Sequence, residues 1–274
     1  MRETRKMSET ITPYVVHAIK YAHHDRKGSE NLIHPGDLHN VDMPLDFFVW
    51  ALVSKTRTYV VDIGFSAETA QKRDRELIRC PSIGLKMIGI NAARVKDVII
   101  THMHYDHVGN FNLFPNAHFH LQEREITYST GRHMTKSVFS TAYNVEDVID
   151  VIRGVYKGRV TFHNGDANLA PGISLHHIGG HTDGLQVVRV WTERGWVVLA
   201  SDASHLYANM SQVNPFPIVF NVGDMVDGYD RLNELADTKD HIIPGHDPLV
   251  MEKYPASSPE LNGIAVRLDL PPKN

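Results

Sequence analysis

Short apolar runs rich in β-branched and aromatic residues recur along the chain, broken by polar turns and by helix-like stretches. DFFVWALV (46–53) and TYVVDIG (58–64) read as two strands joined by the polar SKTR. VKDVIIT (95–101) and AHFHLQ (117–122) read as further strands, as do ISLHHIGG, LQVVRVW and WVVLAS in the second half, with Glu193-Arg194-Gly195 as a hairpin turn. SAETAQKRDRELIR (66–79) predicts a helix capped by Ser66, and VDGYDRLNELAD (226–237) predicts another. Residues 124–157 read as mostly helical, with an interruption around 129–132. HIIPGHD (241–247) is a strand running into a loop.

The ends of the chain carry weaker signals. Residues 1–45 read as a loop-rich opening segment, and residues 255–274 as a proline-rich tail with one short candidate strand, GIAVRL. The order ββαβ…β followed by βββαβ points to an α/β class protein: two sheets face to face with helices outside, a four-layer αββα sandwich. No Pro/Gly/Ser-rich linker divides the halves, so residues 1–274 are expected to form a single domain.

Composition narrows the function classes. A net charge of -4 with no long basic run argues against nucleic acid or an anionic membrane surface as the main partner. The single cysteine, Cys80, rules out an intramolecular disulfide and is expected to be an idle or structural thiol. The polar start MRETRKMSET has no apolar stretch behind it, and no window resembles a membrane span, so a cytoplasmic location is expected. The 18 histidines are the unusual number.

Three of those histidines fall in THMHYDHVGN (101–110), directly after the apolar Val98-Ile99-Ile100. The pattern is H-x-H-x-D-H. Alternation along a strand lets His102 and His104 point the same way, and the following turn lets Asp106 and His107 face the same cavity. Imidazole suits zinc, iron, copper or nickel, and the carboxylate makes this a mixed nitrogen and oxygen site. Later strand ends offer His181 after Gly179-Gly180, Asp202 after VVLAS, and His246 after Pro244-Gly245. Each alone is weak, but their common strand-to-loop setting is not. His176 and His177 lie inside a strand and read as structural.

Taken together, Asp62 in VVDIG, the HMHYDH box, His181, Asp202 and His246 resemble the metallo-β-lactamase superfamily, from about Tyr59 to Asp247. The resemblance implies an αββα fold with a two-metal centre at one edge of the sheets. It implies that His102, His104 and His181 hold the first ion, that Asp106, His107 and His246 hold the second, and that Asp202 bridges them. It places Asp62 behind the ligands, ordering them. Two divalent ions, zinc first and otherwise manganese, iron or cobalt, are therefore expected as cofactors. Such a pair acidifies a shared water and stabilises a developing oxyanion, which is hydrolytic chemistry. No G-x-G-x-x-G or P-loop competes.

Within the superfamily, GHTDGLQ and SDASH are most similar to the N-acyl-homoserine lactonase branch. The expected reaction is the opening of an N-acyl-homoserine lactone or related cyclic ester. In that branch a tyrosine stands three residues after the bridging aspartate and assists the leaving group. Here His205 holds that position, with Tyr207 two further on. Catalytic roles are thus expected for Asp106, for His205 and, if it swings in, for Tyr207. Phe216 and Phe220 are candidate pocket walls. MPLDFFVW and the stretch with Met134, Phe139 and Tyr143 fit a cleft cover, core or a homodimer surface equally. Alternative readings are hydrolysis of another ester, a thioester or a cyclic amide, or oxygenation of a thiol at a single iron.

Overall fold

The computed structural model describes residues 11–34, 36 and 41–273. Among the described residues thirteen strands follow in chain order: β1 (Val15–His24), β2 (Leu45–Val53), β3 (Thr58–Val61), β4 (Glu76–Leu77), β5 (Asp97–Ile99), β6 (His118–Gln122), β7 (Val160–His163), β8 (Ala167–Ala170), β9 (Ile173–His177), β10 (Gln186–Thr192), β11 (Gly195–Ser201), β12 (Ile242–Pro244) and β13 (Ala265–Arg267). They form an eight-stranded sheet in the order β13-β1-β2-β3-β5-β6-β7, with β4 paired to β1, and a five-stranded sheet in the order β12-β11-β10-β9-β8.

Alternation along the strands sorts side chains into layers. Phe48, Trp50 and Leu52 of β2 meet Leu175 of β9, Val188 of β10 and Leu199 of β11 between the sheets. The other face of β2, Phe47, Val49 and Ala51, packs with Leu85, Val148 and Val151 from the helices Pro81–Met87 and Val145–Tyr156. Val198 and Ala200 of β11 pack under Met225, Tyr229 and Leu232 of the helix Val222–Leu235. Helix, sheet, sheet and helix therefore stack as four layers, the expected αββα sandwich.

Several elements depart from the sequence reading. The opening segment contains the longest strand, β1, which pairs with both β2 and β13. Its interspersed histidines and a register shift between Lys20 and Ala22 hide the alternation. The helix expected over 66–79 ends at Arg73: Ser66 caps it by accepting from the backbone N of Thr69, but Asp74 turns left-handed (φ 52°) and Glu76–Leu77 joins β1. The strands β7 and β8 and the helix Pro81–Met87 carried no clear signal; half-buried Cys80 precedes that helix, its Sγ 3.2 Å from Ser82 Oγ. Parts of the opening segment, 1–10, 35 and 37–40, lie outside the described residues. Among the described residues no helix is long and apolar enough to cross a membrane.

Strand direction decides where chemistry can gather. β3, β5 and β6 run parallel, and β9, β11 and β12 run in a common direction in the other sheet. The loops that leave β3, β5, β9, β11 and β12 therefore open on one edge of the sandwich. Leu199 anchors β11 between the sheets, fully buried. Leu199→Ala should cost about 2–5 kcal/mol, read as a lower urea midpoint with an unchanged slope.

A candidate metal centre at the sheet edge

Each loop end is shaped to deliver its donor. After β3, Asp62 adopts a left-handed backbone (φ 56°), and its N donates to Ile99 O at 2.9 Å, locking β3 to β5. After β5, the short helix Tyr105–Val108 begins at His104, so that His102, His104, Asp106 and His107 curl around one point. His181 follows Gly179 and Gly180, both with positive φ; a Cβ on Gly180 would lie 2.6 Å from the backbone of Met225. Asp202 follows Ser201, itself left-handed (φ 45°). Gly245 precedes His246, and a Cβ there would stand 2.7 Å from Ser201 O and 2.8 Å from Asp202 Oδ1. Only glycine lets these two loops approach so closely.

Three overlapping groups could hold a metal: His102, His104, His181 and Asp202; Asp106, His107 and His246; and Asp202, His205 and His246, which shares its aspartate with the first and His246 with the second. All are buried. Asp202 faces the histidines of both the first and the second. Its Oδ2 lies 3.1 Å from His181 Nε2 and 3.6 Å from His102 Nε2, while its Oδ1 lies 3.0 Å from His246 Nε2 and 3.4 Å from His107 Nε2.

The outward nitrogens of these rings are anchored elsewhere. His107 Nδ1 is 2.7 Å from Asp62 Oδ2, His181 Nδ1 is 2.7 Å from Ile218 O, and His246 Nδ1 is 3.0 Å from Asp46 O. Asp62 also accepts from the backbone N and Oγ1 of Thr101, both at 2.8 Å. A ring nitrogen that donates outward leaves its partner nitrogen as a lone pair facing inward, the form a metal needs. Burial first, then neighbouring imidazoles, hold His102 and His104 well below the ordinary histidine pKa. The inward Nε2 atoms of His102 and His107 are buried without a hydrogen-bond partner among the described residues. Orphaned buried nitrogens are costly unless something binds them, and the nitrogen and carboxylate set suits divalent ions. The residues fit the metals.

The other sequence candidates separate. His205 stands on the open side of the cluster, with Nε2 3.0 Å from Asp202 Oδ2 and its ring stacked on Phe216 at 3.8 Å. Phe216 lines the cleft, as does Phe47, whose ring meets His246 edge-on at 5.0 Å. Tyr207 turns away: it packs with the inter-sheet core, and Lys253 Nζ sits 4.7 Å from its ring centroid. Phe220 lies beside the cleft in an aromatic group with Tyr128, His133 and Phe139. Tyr143 is buried and meets His104 edge-on at 4.6 Å, and Met134 is packed against the core. His176 and His177 are tied to Asp166 and to Asp183 O, away from the metal donors.

Sequence reasoning passed over Glu125, fully buried in the first turn of the helix Glu123–Ser129. Its Oε1 accepts from Met103 N (2.9 Å) and Tyr143 OH (3.1 Å), and its Oε2 from Thr182 Oγ1 (2.6 Å) and Gly184 N (3.1 Å). One carboxylate thus fastens the loop bearing His102 and His104 to the loop bearing His181. A glutamate in a polar helix start gives no local sign of this.

Comparison with known proteins agrees with this architecture. The metallo-beta-lactamase superfamily model matches residues 45–246. An N-acyl homoserine lactonase of a Bacillus species is 32% identical over 133 residues, covering 48% of each chain. N-acyl homoserine lactonase AttM of Azorhizobium caulinodans is 28% identical over 180 residues, covering 60% of this chain and 62% of its own. The matched stretches thus span about half to three fifths of these relatives. A quorum-quenching N-acyl homoserine lactone lactonase superposes with a TM-score of 0.72 at 21% identity, over 88% of this chain and 95% of its own. AidC, a dizinc quorum-quenching lactonase, superposes with a TM-score of 0.64 at 15% identity, over 85% and 86%. With the family model spanning most of its length and the donors at its sheet edge, the chain belongs to the metallo-beta-lactamase superfamily.

Proposed function

We propose that this protein is a two-metal hydrolase that opens a lactone, an N-acyl-homoserine lactone or a related cyclic ester. The observation that carries the reading is the division of Asp202, one oxygen toward each donor group. His102, His104 and His181 would hold the first ion, Asp106, His107 and His246 the second, with Asp202 shared. Divalent ions bound there, zinc being the best match to the donor set, would acidify water and polarise an ester carbonyl. The N-acyl homoserine lactonases among the relatives support the ring ester as substrate.

In the net reaction, water adds across the ring ester: its oxygen joins the carbonyl carbon, the bond from that carbon to the ring oxygen breaks, and the ring oxygen takes a proton. The chain's own residues set this up. With an ion bound, Asp62 Oδ2, 2.7 Å from His107 Nδ1, would take the proton at that nitrogen and leave Nε2 as the ligand. Phe47 and Phe216 give the cleft apolar walls beside the cluster. His205 is the hydrogen-bonding group on the open side, and we assign it to the leaving ring oxygen. Tyr207, packed in the core, has no part in this scheme.

Metal analysis of the purified protein should find two ions per chain; a single iron would instead favour thiol oxygenation. Metal-replete protein should hydrolyse lactones, and failure on every ring size and acyl length would overturn the assignment. Asp106→Asn should lower metal occupancy and rate together. His205→Ala should reduce kcat by about 10²-fold or more with little change in metal content, and His205→Tyr should restore part of that loss. Glu125→Gln sets an amide NH2 against two donors; it should cost about 1–3 kcal/mol of stability in thermal melts and weaken metal retention against a chelator.

A further inference from the structure

The cleft that holds the candidate metal donors is also lined by cations. Arg26, Arg73 and Arg75 line this space of about 150 Å³, together with His24. Arg73 donates to the carbonyls of Thr141 and Tyr143, both at 2.9 Å, and lies 3.9 Å over the Tyr105 ring. Arg75 donates through Nε to Tyr105 OH at 3.1 Å and through Nη1 to Arg73 O and Asp74 O. Arg26 donates to Glu30 O at 2.6 Å and stands 5.0 Å from the Phe216 ring, the other partner of which is His205.

Carbonyls and aromatic faces satisfy N–H groups, but they do not neutralise charge. Among the described residues none of the three guanidinium groups forms an ion pair. The carboxylate of Glu30, close to Arg26, is bonded to the backbone N of Lys27 at 2.7 Å. The carboxylates that line the cleft are Asp106 and Asp202, both in the metal-donor set. Arg26 Nε is buried with no partner among the described residues. Burial, followed by Arg75 and Arg26, brings His24 down to about 4, so it adds no charge of its own but marks how closely the positive groups crowd.

Three half-buried like charges repel one another, and dehydrating them over a neutral acyl tail would bring no return. A guanidinium fork matches an oxyanion in geometry as well as charge. Each arginine has five N–H donors, and the bonds named leave some free on all three. We propose that the substrate is a lactone bearing an oxyanion outside its ring, a carboxylate or a phosphate, which Arg26, Arg73 and Arg75 hold while the ring ester lies against Asp202 and His205. The inference rests on the lactone reading above and narrows it. The oxyanion is unchanged in the reaction, and the bonds made and broken are those of ring hydrolysis.

The test uses metal-loaded protein and three lactones with one ring and one side-chain length, ending in a carboxylate, a phosphate monoester or a neutral methyl ester. At least one anionic member should exceed the neutral one by tenfold or more in kcat/KM, and the better of the two identifies the oxyanion. Arg26→Gln and Arg75→Gln should each lower that preference by about ten- to hundredfold, with Arg75→Lys intermediate. Calorimetry supplies a readout independent of turnover: the ring-opened hydroxydicarboxylate should bind at least tenfold tighter than its side-chain amide, and the glutamine variants should lose that advantage. Equal or better turnover of the neutral lactone, or a preference that survives in both glutamine variants, overturns the proposal. If no lactone is opened yet the dicarboxylate keeps its arginine-dependent advantage, the lactone reading fails and the oxyanion site stands.

Discussion

A carboxylate buried to 2% exposure would be expensive alone, and Asp202 is surrounded accordingly. Three imidazoles, His102, His181 and His205, face its Oδ2, and two, His107 and His246, face its Oδ1. Those rings come from four separate loops, so the arrangement exists only while both sheets hold their places. The left-handed Ser201 and the bare backbone of Gly245 let the Asp202 and His246 loops touch. Asp62, Asp46 and Glu125 then fasten the remaining loops from behind. Removing any of these struts would leave buried polar groups without partners, which costs more than the bonds themselves contribute.

The cleft joins two kinds of charge: the imidazoles and carboxylates of the candidate metal donors, and three arginines without carboxylate partners among the described residues. Phe216 lies between them, stacked on His205 on one face and approached by Arg26 on the other. The arginines and the donor cluster thus line one and the same space, which is what the oxyanion proposal rests on. The same short break in the chain creates this feature and hides it. A helix continuing through Arg79 would point Arg73 and Arg75, two residues apart, to different sides. Because the backbone leaves the helix at Asp74, both instead flank Tyr105.

Legibility in the sequence followed physical scale. Strands buried on both faces, such as β2 and β11, announce themselves as apolar runs, and the donors at their ends stand out because a charge or imidazole interrupts that run. β1 was hidden because one register shift and several polar side chains break its alternation. β13 was visible only as a short candidate, since its three residues depend on β1 for pairing. Tyr207 looked near enough to His205 to serve the same site, yet it opens the helix Tyr207–Ser211 and its ring packs against the inter-sheet core.

The sequence by itself determined the sandwich and singled out the candidate donors at its strand ends, because those properties are written in local patterns of burial and residue type. It also marked His205 as a departure from the lactonase pattern. Only the tertiary structure decided which atom faces which. It gave Asp202 one oxygen for each donor group, drew Glu125 under the loops of both His104 and His181, and gathered Arg26, Arg73 and Arg75 into the cleft that holds the donors. Those relations join residues as many as 220 positions apart, from Arg26 to His246 (246 - 26). No local pattern encodes them, because they arise from where parallel strands end and how two packed sheets align their edges.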